Sequence, residues 1–340
     1  MASHNEWDPL KKVIVGTADT SSIPYPNIST MKCQFPEYDE AYVLDMCGRF
    51  PKQLIEEQNE DLDQLADTLK DLGVEVFRPT TEFSMTHTES PTWNGMNWHY
   101  HCPRDLTLIV GDTIIETPSP IWNRQFETWG YQHIFQQMWD EGYNWIKAPI
   151  PKLLSANYKD DTRGVASLNN YEILFEAANC VRVNNEILYQ VSNTGNRIGG
   201  EWLQRVLGEH YTVHIADDLY SFAHLDSTIV PIREGLVLYN ASRVTPENEP
   251  EIFKSWDKIW IDECVSSENS PFGLPWGASE WIGCNLLMVN PSLAIVDIKQ
   301  RQIHEKLKAY GVETIPLELR HDRIISGGFH CVTLDLERSC

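Results

Sequence analysis

No apolar run in this 340-residue chain approaches the roughly 20 residues that a membrane-spanning helix needs. The opening "MASHNEWDPLKK" also lacks the apolar stretch of a secretory leader. Basic residues are scarce: 27 Lys and Arg stand against 49 Asp and Glu, a formal net charge of -22. Such a field repels phosphate backbones and anionic bilayers, so neither nucleic acid nor a membrane is expected as a partner. It suits a cationic small molecule. Paired cysteines are missing too. Cys33, Cys47, Cys102, Cys180, Cys264, Cys284, Cys331 and Cys340 stand singly, with no C-x-x-C. A chain this long needs no disulfide staples, so free thiols in a reducing cytoplasm are the expectation. No Gly/Ser or low-complexity linker divides the sequence, and residues 1–340 are read as one catalytic domain.

What is present is a recurring order of helix, turn and strand. "KQLIEEQNEDLDQLADTLKDLG" sets Leu62, Leu65, Leu69 and Leu72 at helical spacing, and the strand "VEVF" follows. The same order is read in "QHIFQQMWDEG" then "YNWIKAP", and in "GEWLQRVLGEH" then "YTVHIAD". It returns in "EPEIFKSW" then "DKIWIDE", and in "QIHEKLKAYG" then "VETIPLE". Between them lie hairpins that include "LTLIVGDTIIET", turning at Gly111-Asp112, and "CVRVNNEILYQVS", turning at Asn184-Asn185. Five ββαβ-like units result, without sequence similarity between them. They suit either a radial propeller or one doubly wound sheet. The Pro-rich stretch 17–51 is read as an irregular loop that covers something.

Several polar residues fall at the ends of these strands, where open α/β folds gather their chemistry. In "FAHLDST", His224 and Asp226 are two apart in a segment read as extended, so both point to one side. A structural hydrogen bond is the commoner meaning of such a pair. Glu176 in "ILFEAANC" is placed for semi-burial, where it needs a partner that His224 would supply; a solvated loop acid is the alternative. Asp105, after Pro103-Arg104, either faces a shared cavity or pairs with Arg104. His99, His101 and Cys102 form a cluster, but no second pair stands at zinc-like spacing, so no metal is expected. Arg243 in "YNASRVTPEN" and Ser279 in "LPWGASEWIGCN" are candidates for holding a carboxylate. Cys331, in "RIISGGFHCVTLDLE", stands at the mouth of a strand beside two glycines. It is either a small core residue or a nucleophile. Together these residues suit attack on a guanidinium: paired carboxylates grip its planar N–H donors, a thiol attacks carbon, and an imidazole protonates the leaving amine.

At this point the chain resembles a known family. "NEWDPLKKVIVGTAD", "CPRDLTLIVGD", "FEAANCVRV", "EWLQRVLGEHYTVHIADD", "HLDSTIVPIREGLVLYN" and "GGFHCVTLDL" match, in order and over nearly the whole chain, the arginine amidinotransferases. These are relatives of glycine amidinotransferase in the guanidine-modifying superfamily. The resemblance implies a five-module α/β propeller of ββαβ units. It implies ping-pong transfer of the amidino group of L-arginine to an amine, with release of ornithine. Cys331 falls on the nucleophile, His224 on the general acid/base, and Asp105 and Asp226 on the guanidinium-binding acids. Arg243 and Ser279 fall near the positions that hold the donor's α-carboxylate. No metal or organic cofactor is implied, and relatives incline to homodimers. Departures stand beside the matches. Glu176 in "FEAAN" replaces the Asp of an "FDAAD"-like motif, as in guanidine-hydrolysing relatives, and Asn179 removes a second acid. Ser221, Phe222 and Ala223 stand where glycine-using members resemble "NPM", which points to a larger acceptor, such as an intermediate of a guanidine-containing natural product. An arginine hydrolase, a non-catalytic arginine-binding protein and a peptide hydrolase are the alternatives.

Overall fold

A computed structural model describes residues 2–19, 21–159 and 166–339; Thr20, within the expected covering stretch, and Cys340 lie outside the described residues. Five three-stranded sheets share one design: an antiparallel pair, then a third strand parallel to the second. Thr107–Val110, Thr113–Glu116 and Asn144–Lys147 make one such sheet. Cys180–Val183, Glu186–Gln190 and Thr212–Ala216 make the next. Ile229–Arg233, Leu236–Asn240 and Asp257–Ile261 follow, then Leu287–Asn290, Leu293–Asp297 and Glu313–Leu317. The fifth joins the two ends of the chain: Thr333–Arg338 pairs antiparallel with Leu10–Val15, and Glu75–Phe77 lies parallel to the latter. The propeller is therefore closed by strands more than 300 residues apart, a pairing that local periodicity does not reveal.

Local chemistry explains the modules. The hairpin turns fall where expected, with Gly111 and Asn184 both at positive φ (61° and 57°), which glycine and asparagine tolerate best. Helix Lys52–Asp71 buries Leu54, Leu62, Leu65 and Leu69, which pack with Val13 and Val15 of the closing sheet. Each such leucine contributes about 1.5–3 kcal/mol by leaving water. Helices Gln132–Asp140, Arg197–Leu207 and Arg301–Ala309 do the same for three other sheets. The helix expected in "EPEIFKSW" does not form. Only a 3-10 turn, Glu251–Phe253, is present there, with Phe253 buried. Pro250 precedes that turn and the next strand begins at Asp257, leaving too few residues for a stable helix.

The stretch 17–51 carries more structure than expected: short helices Ile28–Cys33 and Glu40–Met46, and a pairing of Ser22–Ile23 with Gly48–Arg49. It is tied to the 270s loop. Gln34 Nε2 donates to the Gly277 carbonyl (2.8 Å), Trp276 N to Tyr38 Oη (2.9 Å), and Tyr42 Oη to the Gly273 carbonyl (2.9 Å). Among the described residues no helix is long and apolar enough to cross a membrane.

Candidate active site

The residues that lead into the first strand of each module meet at one place. Asp105 precedes Thr107, Glu176 precedes Cys180, His224 and Asp226 precede Ile229, Asn285 precedes Leu287, and Cys331 precedes Thr333. The His224–Asp226 segment is not extended as expected. It turns, with Thr228 N donating to the Leu225 carbonyl (2.8 Å), and both side chains still reach the same cleft. That cleft has a cavity volume of about 50 Å³ and is walled by Asp105, His224, Asp226 and Cys331, with Trp98, Arg124, Ser279 and Gly327.

Contacts within it are specific. His224 Nε2 lies 2.6 Å from Glu176 Oε2, and its Nδ1 lies 3.6 Å from Asp105 Oδ1. Cys331 Sγ donates to Asp226 Oδ2 at 3.2 Å, and His330 Nδ1 is 3.0 Å from the same oxygen. Glu176 is fully buried, deeper than its sequence setting suggested, and its other oxygen accepts from Ser119 Oγ at 2.6 Å. Asp105 pairs with Arg124 (2.8 Å), while Arg104 turns away to Asp335 (2.6 Å). Asp105 Oδ1 is buried without a hydrogen-bond partner, an acceptor available to a donor in the cleft.

Burial and charge set the proton affinities. Burial alone would depress His224, but the Asp105, Glu176 and Asp226 carboxylates outweigh it and raise the imidazole to about 9. Burial would raise Asp226; contact with His330 instead draws it down to about 2. Burial, reinforced by Asp226 and Asp105, pushes the Cys331 thiol well above its ordinary range. The resting site thus joins a protonated imidazole to a protonated thiol among carboxylates, an arrangement that favours a cationic guest.

The other expected residues are divided between the cleft wall and the layer behind it. Arg243 does not line the cleft. It lies over the Tyr220 ring (3.5 Å to the centroid) and donates to Ser227, Thr228 and Ser279 hydroxyls at 3.0, 2.9 and 2.7 Å. Phe222 and Ala223 line the cleft, whereas Ser221 lines an adjoining outer cavity. His99 and His101 are buried, and burial holds His101 down at about 3. They do not join Cys102 as a metal cluster among the described residues. The ligand atoms that do lie within 4.8 Å of one another belong to Asp105, Glu176 and His224, and Arg124 already donates to both carboxylates.

Two residues of the site, Arg124 and Asn285, were not anticipated. Arg124, buried, bridges Asp105 and Glu176 and is itself held by both oxygens of Glu127 at 2.7 and 2.8 Å. Asn285 Oδ1 accepts from the backbone N–H of both His330 and Cys331, each at 3.0 Å, and so fixes the thiol's backbone. The two glycines before Cys331 serve this packing: a Cβ at Gly328 would lie 2.7 Å from Asn285 Cβ, and one at Gly327 2.6 Å from Cys102 Sγ. The offset shared by Asp105, Asn285 and Cys331, two residues ahead of a first strand, is a signal that would have found Asn285.

The chain is similar in sequence and in shape to known proteins. No protein-family model matches the chain. It is 40% identical over 339 residues to inosamine-phosphate amidinotransferase 1 of Streptomyces griseus, covering 99% of this chain and 96% of that protein. It is 32% identical to the L-arginine:L-lysine amidinotransferase of Pseudomonas savastanoi pv. phaseolicola, covering 99% and 94%. The solved structure of an inosamine-phosphate amidinotransferase from Streptomyces griseus superposes with a TM-score of 0.95 at 39% identity, covering 100% of this chain and 97% of that one.

Proposed function

Because the chain belongs to the amidinotransferase family, we propose that it carries the amidino group of L-arginine on Cys331 and delivers it to an amine larger than glycine. The observation that carries this reading is the convergence, in one cleft, of the Cys331 thiol, the His224–Glu176 pair and the open Asp105 oxygen.

The guanidinium of arginine enters and bonds to Asp105 and Asp226, whose carboxylates match its planar donors. Its positive charge offsets the carboxylates that hold the thiol proton, and Cys331 becomes nucleophilic. A bond forms from sulfur to the guanidino carbon, and the bond from that carbon to the δ-nitrogen breaks. His224 gives its proton to the departing nitrogen, and ornithine leaves. The thiol proton is released to solvent as the nucleophile forms, the His224 proton ends on ornithine and leaves a neutral imidazole, and the sulfur keeps the cationic amidino group. An acceptor amine then loses a proton to His224, attacks the same carbon and restores the thiol. Glu176 and Arg124 orient the imidazole. Ser279, on the cleft wall with Arg243 donating to its hydroxyl from behind (2.7 Å), receives the α-carboxylate of the donor.

The acceptor's size rests on the residues ahead of His224 and on the outer cavity, of about 490 Å³, which Ser221 and Phe222 help to line. Two relatives are named for inosamine phosphate and L-lysine, both larger than glycine. Product analysis after incubation with L-arginine, alone and with a panel of amines including glycine, tests the reading. Ornithine together with a guanidino product, both dependent on the amine, is expected. Citrulline without any amine would make the enzyme a hydrolase, and saturable arginine binding without either product would make it a binding protein.

A further inference from the structure

The turn that delivers Cys331 cannot fix its own course. Gly327 and Gly328 restrict the backbone less than any other residue type would. Ser326, which ends the short helix Asp322–Ile325, stands at a positive φ of 72°. That conformation is disfavoured for a residue with a Cβ and has to be held by its surroundings. Ser326, Gly327 and Cys331 all line the cleft, so a drift of this turn moves the thiol. Asn285 anchors one end, through the His330 and Cys331 N–H groups. The other end is held by Cys102, from the "HYHC" stretch that the transfer chemistry leaves unused.

Cys102 Sγ donates to the Ser326 carbonyl at 2.9 Å. Behind it stands a buried series of contacts that begins in helix Lys52–Asp71. Gln58 Nε2 lies 3.1 Å from His101 Nε2, and His101 Nδ1 lies 3.3 Å from Cys102 Sγ. An amide nitrogen only donates, so His101 Nε2 accepts and the ring proton sits on Nδ1, facing the sulfur. The sulfur receives there and is left to give its own proton to Ser326. Burial holds His101 down at about 3, so the ring is neutral and its one proton stays where the series needs it. Gln58, His101 and Cys102 are each no more than 1% exposed, which keeps solvent from competing for these contacts.

We propose that Cys102 is a positioning residue for the nucleophile: its thiol, aimed by His101 and Gln58, holds Ser326 in the left-handed conformation and so sets the reach of Cys331 toward the guanidino carbon. The inference rests on the transfer reading above. Cys102 makes and breaks no bond in the reaction; it acts through the turn 326–328. Formation of the sulfur–carbon bond depends on that reach. The grip of Asp105 on the guanidinium does not, since its backbone N–H is tied to the Cys102 carbonyl (3.1 Å), which every side-chain variant keeps. Loss of the Cys102 thiol should therefore slow adduct formation more than it weakens arginine binding.

The test follows adduct formation on exposure to L-arginine by intact mass in rapidly quenched samples, with urea unfolding as the check on the fold. Cys102→Ala should slow the adduct by about tenfold or more, while the arginine concentration giving half the maximal rate changes by less than about threefold. Cys102→Ser keeps a donor beside the same carbonyl and should recover much of the rate. Ser326→Gly supplies the second comparison, because glycine adopts positive φ unaided. It also loses the Ser326 Oγ bond to the Gly277 carbonyl (2.9 Å), so the effect of Cys102 within that background is what is read. There, adding Cys102→Ala should cost less than about threefold, since no strained conformation is left to enforce. A wild-type rate in Cys102→Ala would overturn the assignment. So would a Cys102→Ser enzyme as slow as Cys102→Ala, or an equal loss from Cys102→Ala in both backgrounds, either of which would reduce Cys102 to packing. Failure of the wild type to form any adduct would overturn the transfer reading itself.

Discussion

Cys331 and His224 present opposite problems to the same carboxylates. Asp226 and Asp105 hold the thiol proton on Cys331, and with Glu176 they hold the imidazole proton on His224 up to about 9. An acid is therefore ready before the nucleophile is, and the arriving guanidinium supplies the charge that releases the nucleophile. Two outcomes follow at this scale. Cys331→Ser should show no mass increment of about 42 Da on exposure to arginine, and ornithine release should fall by about 10⁴-fold or more. Substantial ornithine release from that variant would rule out the covalent route. Glu176→Gln keeps the side chain's shape and its contact with Ser119 but removes the charge 2.6 Å from His224. Because the imidazole pKa is raised in the folded protein, its proton is present at neutral pH and is lost as pH rises through about 9. Ornithine release in the wild type should therefore decline above that pH. In Glu176→Gln the alkaline limb should move down by a unit or more, toward the ordinary histidine value, with the maximal rate lower by about 10²–10³-fold. An unmoved limb would mean that Glu176 does not act through His224.

At the scale of elements, the site is assembled from five loops that do the same geometric job. Each delivers a polar residue just ahead of a strand, where side chains point into the shared centre and not into a helix-covered face. Much of this was legible. Leucines at helical spacing marked the 52–71 helix, and Asn-Asn and Gly-Asp turns marked the hairpins, because periodicity and turn chemistry are local properties. The 249–256 helix failed because an apolar pattern cannot overrule a proline followed so closely by the next strand. Arg124 was invisible for a different reason. Its partners Asp105 and Glu176 lie 19 and 52 residues away, and "IWNRQFETW" has no periodicity that singles out one arginine. Asn285 sits in an apolar run and becomes notable only once its offset is compared with those of Asp105 and Cys331. Its removal tests the role of the loop. Asn285→Ala should leave the buried N–H groups of His330 and Cys331 without their acceptor and cost about 1–3 kcal/mol in urea unfolding. Arginine turnover should fall with it, because the thiol's backbone loses its anchor. Unchanged stability and turnover would show that the loop is held by other means.

On the scale of the whole molecule, the catalytic cleft and the closure of the propeller share one buried ionic chain. Asp226 contacts His330, whose other ring nitrogen lies 3.2 Å from Glu6. Glu6 accepts from Arg182 at 2.7 Å, and Arg182 donates to Asp335 at the same distance. Asp335, in the final strand, also takes Arg104 (2.6 Å) and Arg338 (2.7 Å) and is wholly buried. The strand that seals the ring is thus fixed by the same charges that hold the wall behind Cys331. Ion pairs in such a place contribute little relative to apolar packing, but removing one partner strands the others. Asp335→Asn would leave three buried arginines short of a counter-charge, so a loss of about 3–5 kcal/mol is expected at neutral pH. The pH dependence has a definite sign. Burial would raise the Asp335 and Glu6 carboxyls, but their arginine and histidine contacts pull both well below the ordinary 3.8 and 4.5. Carboxyls with depressed values contribute stability that is fully present above those ordinary values and is lost as pH falls toward the depressed ones. Urea midpoints of the wild type should therefore fall steeply on acidification below about pH 4. Asp335→Asn should start lower and decline less, since one of the groups that must be protonated is gone. Parallel acid limbs in the two proteins would place the acid sensitivity elsewhere and detach ring closure from this chain of charges.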